Sequence, residues 1–156
     1  MTRRKKSITR TITPDPVYHS TLISMFIARI LLHGKKSIAQ KIMYSTLEII
    51  QTRTQEDALT VLEKALRAVT PIVEVKSRRV GGSIYQVPLE IRPERGITLA
   101  IRWLLQGAKT RKSTSFQESL AQEIIDASQS IGYAIKKKEE IHRMAEANKA
   151  FAHYKV

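Results

Sequence analysis

Residues 73–87, VEVKSRRVGGSIYQV, decide how this chain is organised. They form two β-favouring runs around Gly81-Gly82, and paired glycines between such runs are a strong signal for a tight hairpin turn. A two-residue turn would place Val80 opposite Ser83. The remaining pairs would be Arg78 with Tyr85, Lys76 with Val87, Arg79 with Ile84, Ser77 with Gln86, and Val75 with Pro88. The sequence therefore predicts an antiparallel β-hairpin within residues 72–90.

Neither face of this hairpin is apolar along its whole length. It cannot bury itself flat on a core, and an isolated hairpin is marginally stable in water. One face places Lys76 and Arg78 beside the ring of Tyr85, and cations next to a stacking surface suit a nucleic-acid strand. The alternative is a solvated hairpin whose charges only keep the protein soluble.

The composition supports the nucleic-acid interpretation. The 156 residues suffice for one domain with a core, and 27 Lys and Arg against 14 Asp and Glu give a net charge of +13. A charge of this size favours nucleic acid or an anionic membrane surface as partner. The absence of cysteine excludes disulfides, thiol catalysis and Cys-ligated zinc. The apolar run at 22–32 is too short to span a bilayer and is broken by Arg29.

The first thirteen residues, MTRRKKSITRTIT, are basic and contain no acid. An organelle transit peptide has a similar composition, but this segment shows no helical apolar stripe and no secretory h-region. We therefore predict two parts: a disordered basic RNA-binding arm at 1–13, and a helical domain at 14–156 that carries the hairpin.

Three helices are predicted before the hairpin. The first is capped by Ser20 and ends at Gly34. The second opens at Lys35-Lys36-Ser37, with Ile38, Ile42 and Ile49 inward and Ala39, Met43 and Ile50 beside them. The third follows a capping box at 54–57, and its apolar stripe is Ala58, Val61, Leu62, Ala65, Leu66 and Val69. Two lysines at a helix start oppose the dipole, so either they cost a little stability or an anion binds there.

Three more helices are predicted after the hairpin. The fourth follows Pro93 and Gly96, with Trp103 at the core edge, and is followed by a basic loop at 109–112. The inward residues of this fourth helix are Ile97, Ala100, Ile101, Leu104, Leu105 and Ala108. The fifth is capped by Ser115, stops near Gly132, and turns Leu120, Ile124, Ala127 and Ser128 inward. The sixth runs from Tyr133 to Asn148 and starts with a cluster of three lysines at 136–138. The predicted fold is mainly α: a six-helix, bundle-like single domain with a protruding β-hairpin between helices 3 and 4.

Catalytic signatures are missing from the sequence. It contains no G-x-G-x-x-G, P-loop or G-x-S-x-G motif. Glu139 and His142 form a single Glu-x-x-His, whereas a di-iron bundle needs two copies and further glutamates. A hydrogen-bonded histidine on a helix surface explains this motif better than a metal ligand does. We predict that the chain is not an enzyme and holds no cofactor or metal.

Several long segments resemble one family. The run VEVKSRRVGGSIYQVP, the later LAIRWLL at 99–105 and HRMAEANKAFAHY at 142–154 resemble the central and C-terminal signatures of the seventh small-subunit ribosomal protein family, the uS7 type in its bacterial and chloroplast form. Residues 15–18 (DPVY) and 34–37 (GKKS) match its N-terminal landmarks. The resemblance covers nearly the whole chain in register.

This resemblance implies a function and a set of contacts. It implies a structural, primary rRNA-binding protein that nucleates assembly of the head (3′ major) domain, without a cofactor, beside the ninth, eleventh and thirteenth small-subunit proteins. By matching position, the rRNA contacts would be Arg3, Arg4, Lys5, Lys6, Arg10, Lys35, Lys36, Lys76, Arg78, Arg79, Arg95, Arg102, Arg111, Lys112 and Lys136. The residues near exit-site tRNA and mRNA would be Arg79, Gly81, Gly82, Ser83, Tyr85, Lys137 and Arg143.

Two departures from the family pattern stand out. Gly96 and Ile97 stand where members often keep another basic residue, which puts one phosphate contact in doubt. The chain ends at Lys155-Val156, where many bacterial members end in Arg-Trp or continue. With the Ile- and Lys-rich composition, this end favours a chloroplast (plastid) stromal copy over a bacterial cytoplasmic one.

The alternatives come from other functional classes. A basic helical DNA-binding protein would need a helix–turn–helix with a base-reading second helix, and no such pair is evident. An RNA-modifying or metal enzyme has the least support from the sequence. The predicted function is therefore that of a ribosomal protein that contacts rRNA, tRNA and mRNA and no membrane.

Overall fold

The computed structural model describes residues 11–112 and 115–154, and it is mainly helical. Within these ranges a two-stranded hairpin lies between the third and fourth of six α-helices. The elements are α1 (Thr21–Ile30), α2 (Lys36–Thr54), α3 (Ala58–Val69), β1 (Val73–Val80), β2 (Ser83–Glu90), α4 (Pro93–Thr110), α5 (Phe116–Ser128) and α6 (Tyr133–Ala147). A 3-10 helix at Lys149–Tyr154 follows α6. The predicted fold class is confirmed.

The hairpin has the register that the sequence predicts. Strands β1 and β2 are antiparallel, and Val80 pairs with Ser83 while Arg78 pairs with Tyr85. Gly81 and Gly82 both have positive φ, 57° and 91°, a conformation that a two-residue turn requires and that other residues adopt with strain. The paired glycines therefore fixed both the turn and every pairing that follows from it.

The hairpin is buried at its base and exposed at its tip. Its strands contact α6, and β2 also contacts the 3-10 helix. Val87 is fully buried, whereas Ile84, close to the turn, is 73% exposed. The helical body therefore holds the base of the hairpin, and the distal part contributes little to the core.

Helix α5 lies at the centre of the body, in contact with α2, α3, α4 and α6. The predicted stripe of α3 is buried throughout: Ala58, Val61, Leu62, Ala65, Leu66 and Val69. Helix α3 ends at Val69, and Thr70 is extended. The end was predicted from Pro71, because the residue before a proline disfavours the helical conformation. Trp103 of α4 is 6% exposed and belongs to the same core.

The predicted inward face of α2 was wrong by about one position. Ile38 is 51% exposed, and the buried residues are Ala39, Met43, Thr46, Leu47 and Ile50. Thr46 occupies a core position because its hydroxyl donates a 2.7 Å hydrogen bond to the backbone oxygen of Ile42. A pattern based on isoleucines overlooks a threonine whose polar group is satisfied by its own helix.

Two helix boundaries before the hairpin also differ from the prediction. Helix α1 ends at Ile30 rather than Gly34, because Leu31 already has an extended ψ of 123°. Thr54 does not cap α3. It is the last residue of α2, and its hydroxyl donates to the Ile50 oxygen. The cap is Asp57, whose carboxylate accepts the backbone N–H of Thr60 at 3.1 Å.

The later boundaries agree more closely. Helix α4 continues to Thr110, so half of the basic loop predicted at 109–112 is helical. Ser115 caps α5 as predicted, accepting the Glu118 N–H at 3.3 Å. Helix α5 stops at Ser128, which is half-buried rather than inward, and Gly132 is the N-cap of α6. Helix α6 ends at Ala147, one residue early.

Asp15 anchors the chain where the predicted arm meets the body. The residue is 2% exposed. One carboxylate oxygen accepts the backbone N–H groups of Val17 and Tyr18, and the other accepts the Tyr44 hydroxyl at 2.8 Å. Burial and then this hydrogen bond raise the pKa of Tyr44 to about 12. The contact joins the segment before α1 to the middle of α2.

We expect Tyr44→Phe to destabilise the protein by about 1–3 kcal/mol, because it removes a partner from a buried carboxylate. Urea unfolding followed by circular dichroism measures the change. Tyr18→Phe is the matched control, since the Tyr18 ring lies 5.8 Å from the Tyr44 ring and no bond of its hydroxyl is seen among the described residues. Equal stability losses in the two variants would contradict the anchoring role of Asp15.

Candidate RNA-binding surface

The start of α2 carries two exposed lysines. Lys35 is the N-cap and Lys36 the first helical residue, and the first turn contains no acid. The N-terminal end of a helix has a partial positive charge and free backbone N–H groups, which together favour an anion. Two cations at this end oppose the dipole in the free protein. An RNA phosphate bound there would remove that opposition.

We expect the double variant Lys35→Ala, Lys36→Ala to be slightly more stable than the parent, by a few tenths of a kcal/mol, since it removes unfavourable charge at the dipole. RNA binding should weaken, and the slope of log affinity against log salt should fall by between one and two units.

The matched control for this variant removes two cations from α3, Lys64→Ala with Arg67→Ala. These cations already pair with Glu56 and Glu63. Filter binding across a salt series compares the variants. If RNA affinity is the same for the α2 variant and the parent, the two lysines are a solvated helix end and not a binding site.

A glutamate joins the hairpin base to the start of α4. Glu74 of β1 pairs with Lys76 at 3.0 Å and with Arg95 at 2.7 Å. Partial burial alone would raise the pKa of Glu74, but hydrogen bonds from Arg95 and Lys76 lower it overall. Lys76 and Arg95, both predicted RNA contacts, are therefore brought together, and part of their charge is compensated within the fold.

The hairpin tip is open to solvent. Arg79, Gly81, Gly82 and Ser83 are exposed, while Arg78 is half-buried on the opposite face. The ring of Tyr85 lies 5.1 Å from that of Phe151 and 5.4 Å from that of Tyr154. Tyr85 therefore packs the hairpin against the C-terminal 3-10 helix, in addition to any stacking surface it offers to a base.

The three lysines at the start of α6 differ in their surroundings. Lys136 is exposed. Lys137 pairs with Glu140 at 2.6 Å, and the Lys138 ammonium donates to the backbone oxygen of Ala68 at 2.7 Å. Lys138 therefore ties α6 to the end of α3, and Lys136 is the member of the cluster best placed to meet a phosphate. Arg143, two turns later, is exposed.

Arg111 is held by carboxylates. Its guanidinium contacts Glu123 at 2.6 Å and Asp126 at 2.5 Å. Partial burial would lower the pKa of Arg111, but the hydrogen bonds that it donates to both carboxylates raise it overall. Arg111 is thus part of the internal structure, whatever it also contributes to RNA. Arg102 and Lys112, close to it in the chain, are exposed.

Apart from the half-buried Arg78, the predicted cationic contacts fall into three groups. Several are exposed and form no ion pair within residues 11–112 and 115–154: Lys35, Lys36, Arg79, Arg102, Lys112, Lys136 and Arg143. Others are paired with carboxylates: Lys76, Arg95, Arg111 and Lys137. The cations of the arm lie outside the described residues: Arg3, Arg4, Lys5, Lys6 and Arg10. The described contacts lie on separate elements, which suits an extended polyanion better than a compact ligand.

The acidic partners of these cations were missed from the sequence. Glu123 is fully buried on α5, between Leu120 and Ala127 on the same helix face. Its three- and four-residue spacing from these two inward residues was a usable signal, because such positions share one face. Glu74 had no comparable signal, since its partner Arg95 is 21 residues away and the two meet only through the fold.

Other kinds of site find little support. Among the described residues, no group of three or more His, Asp or Glu side chains could hold a metal ion. His142 accepts the backbone N–H of Ile72 at 3.3 Å, as a neutral ring does, and burial followed by the nearby charge of Lys138 lowers its pKa. The hydrogen-bonded histidine predicted for the Glu-x-x-His motif is confirmed. No helix in the described part is long and apolar enough to cross a bilayer.

Known proteins resemble this chain over its full length. The model of the family described as ribosomal protein S7p/S5e matches residues 2–149. The small ribosomal subunit protein uS7 of Dictyoglomus turgidum is 55% identical over 155 residues, and that of Acaryochloris marina is 56% identical over 155 residues; each match covers 99% of both chains. The uS7c protein of Nephroselmis olivacea is 52% identical over 156 residues, covering 100% of both.

A strongly basic helical body with an exposed hairpin tip, and with dispersed cations that lack ion pairs among the described residues, is typical of the class of nucleic-acid-binding proteins. The chain belongs to the S7p/S5e family of ribosomal proteins and is a structural constituent of the small ribosomal subunit. The resemblance drawn from the hairpin and C-terminal segments is confirmed.

Proposed function

We propose that this protein is a primary rRNA binder that nucleates assembly of the head, the 3′ major domain, of the small subunit. The carrying observation is the set of exposed cations without ion pairs within the described residues, together with a net charge of +13. Such cations displace counterions from phosphates and bind RNA by charge and shape rather than by base identity. The ninth, eleventh and thirteenth small-subunit proteins are the proposed protein neighbours.

The hairpin tip and the start of α6 are the parts proposed to approach exit-site tRNA and mRNA. Support comes from exposure: Arg79 and Ser83 at the tip, and Lys136 and Arg143 on α6, are all open to solvent. The buried base of the hairpin makes the tip an extension that can reach a ligand beyond the body's own surface. Cross-linking from Ser83→Cys to tRNA or mRNA would test this, and cross-links confined to rRNA would contradict it.

We propose a plastid stromal location for the subunit. The Ile- and Lys-rich composition is the observation that supports it. Detection of the protein in stromal ribosomes by fractionation and immunoblotting tests this location. Recovery only with bacterial ribosomes would contradict it.

Co-sedimentation separates the proposed function from a DNA-binding role. A ribosomal protein should stay with the small subunit through a sucrose gradient at moderate salt, and RNA recovered with it should map to the head domain after end-sequencing. A DNA-binding protein should leave the subunit and follow duplex DNA. Release at moderate salt together with preferential capture of DNA would overturn the proposal.

A further inference from the structure

Glu123 is a fully buried acid in a core that is otherwise almost apolar. It lies on α5 with no exposed surface. The structure makes room for it, because a Cβ on Gly107 would approach the Glu123 carboxyl group to 2.7 Å and one on Gly132 to 3.0 Å. A buried carboxylate is costly unless charged and hydrogen-bonding partners compensate it. The partners of Glu123 therefore explain its presence.

The two oxygens of the Glu123 carboxylate bind two separate segments of the chain. Oε2 accepts hydrogen bonds from Nε and Nη2 of Arg111 at 2.8 and 2.6 Å. Oε1 accepts the backbone N–H of Ala134 at 3.0 Å. Ala134 lies in the first turn of α6, where backbone N–H groups lack helical partners and a negative charge is favoured by the dipole. The carboxylate thus links the α4–α5 connection to the start of α6.

Both linked segments carry exposed cations. Lys109 and Lys112 lie on either side of Arg111, and Lys136 follows Ala134 by two residues. Glu123 therefore bonds directly to two basic segments that are far apart in sequence. Fixed separation reduces the conformational entropy lost when both segments bind one RNA, which is how preorganisation increases affinity.

We propose that Glu123 is a positioning residue for RNA binding, which holds the basic α4–α5 connection and the lysines at the start of α6 at a fixed separation. This inference rests on the proposed rRNA-binding function. Glu123 does not touch RNA itself. It acts through Arg111 and through the backbone of α6, so the role of Arg111 is to transmit this constraint.

The direction in which Glu123→Gln changes RNA affinity tests the proposal. Glu123→Gln raises the net charge by one, which by simple electrostatics should tighten RNA binding. We expect weaker binding instead, by about tenfold, and a log–log salt slope smaller by one to two units, as for one or two lost phosphate contacts. The matched control Glu139→Gln adds the same charge at an exposed site on α6 and should bind equally well or slightly more tightly.

Affinity is measured with a transcript of the head-domain rRNA at a temperature where melting curves show each variant fully folded. Amide hydrogen exchange gives an independent readout, and exchange in residues 134–137 should be faster in Glu123→Gln. Asp126→Asn, which removes the second partner of Arg111 but leaves the bonds of Glu123, should change affinity by less than about threefold.

Binding by Glu123→Gln as tight as that of the parent, with an unchanged salt slope, would overturn the proposal. If the Glu123→Gln variant does not fold, the Arg111→Lys variant tests the proposal instead. It keeps the charge and the bond from Ala134 but loses the two-pronged contact, and it should weaken binding by about threefold; unchanged binding would overturn the proposal. A parent protein that does not prefer head-domain rRNA would instead contradict the proposed function.

Discussion

A chain that lacks residues 1–10 is expected to bind head-domain rRNA at least about a hundredfold more weakly than the full-length protein at physiological salt. The segment carries Arg3, Arg4, Lys5, Lys6 and Arg10 and no acid. If all five cations contact phosphates, the log–log salt slope should fall by roughly 3.5 to 4.5 units, since each contact contributes about 0.7 to 0.9. Filter binding over a salt series measures both quantities.

The same deletion should leave the melting temperature nearly unchanged, because the sequence of the arm has no apolar stripe that could join the core. A variant with the five cations changed to Gln keeps the length of the chain and separates charge from chain length. It should lose the same affinity as the deletion. A melting temperature lowered by many degrees would show that the segment belongs to the core, and full affinity in the Gln variant would exclude phosphate binding by the arm.

Shortening the hairpin should separate fold from function. Arg78 and Tyr85 pair across the ribbon, so replacing residues 79–84 by Asn-Gly keeps that pair as the last one before a two-residue turn. Val87 and the contact of Tyr85 with Phe151 stay in place, so stability should change little. Head-domain rRNA binding through the arm and the helix ends should persist. What should be lost is the reach of the tip toward exit-site tRNA and mRNA.

Two assays on reconstituted subunits test this expectation. Footprinting of head rRNA should match that of the parent except at the predicted contact of Arg79, while deacylated tRNA should dissociate from the exit site several-fold faster or reading frame should be held less well. The control is a hairpin of full length with Gln86→Ala, an exposed change below the tip. Failed head assembly with normal tRNA release would instead make the hairpin tip an rRNA anchor.

The elements predicted correctly from the sequence are those whose determinants are local. Gly81-Gly82 fixes a turn, and the turn fixes the register of both strands. The stripe of α3 repeats at helical spacing and is buried as predicted. Ser115 caps α5 within its own tetrapeptide. In each case the structure depends on neighbours within a few residues, so no knowledge of distant contacts was needed.

The elements that were missed depend on contacts far along the chain or on polar groups in the core. The face that α2 buries includes Thr46, whose satisfied hydroxyl hides it from a search for apolar residues. Sequence patterns identified the cations of the candidate RNA-binding surface. They did not show which of these cations form ion pairs with carboxylates in the folded protein. Arg95 and Arg111 meet Glu74 and Glu123 only after helices and hairpin have packed. Charge counts therefore overestimate the cations available to RNA.

The most direct test of the central claim compares two RNAs of equal length from the same small-subunit rRNA, one from the 3′ major domain and one from the 5′ domain. Equilibrium binding is measured at physiological salt with duplex DNA as a third ligand. Recognition of the head domain by shape and phosphate geometry predicts at least about a hundredfold preference for the 3′ major fragment. Equal affinity for all three nucleic acids, with the same salt slope, would show only non-specific attraction by a basic protein and would contradict the account.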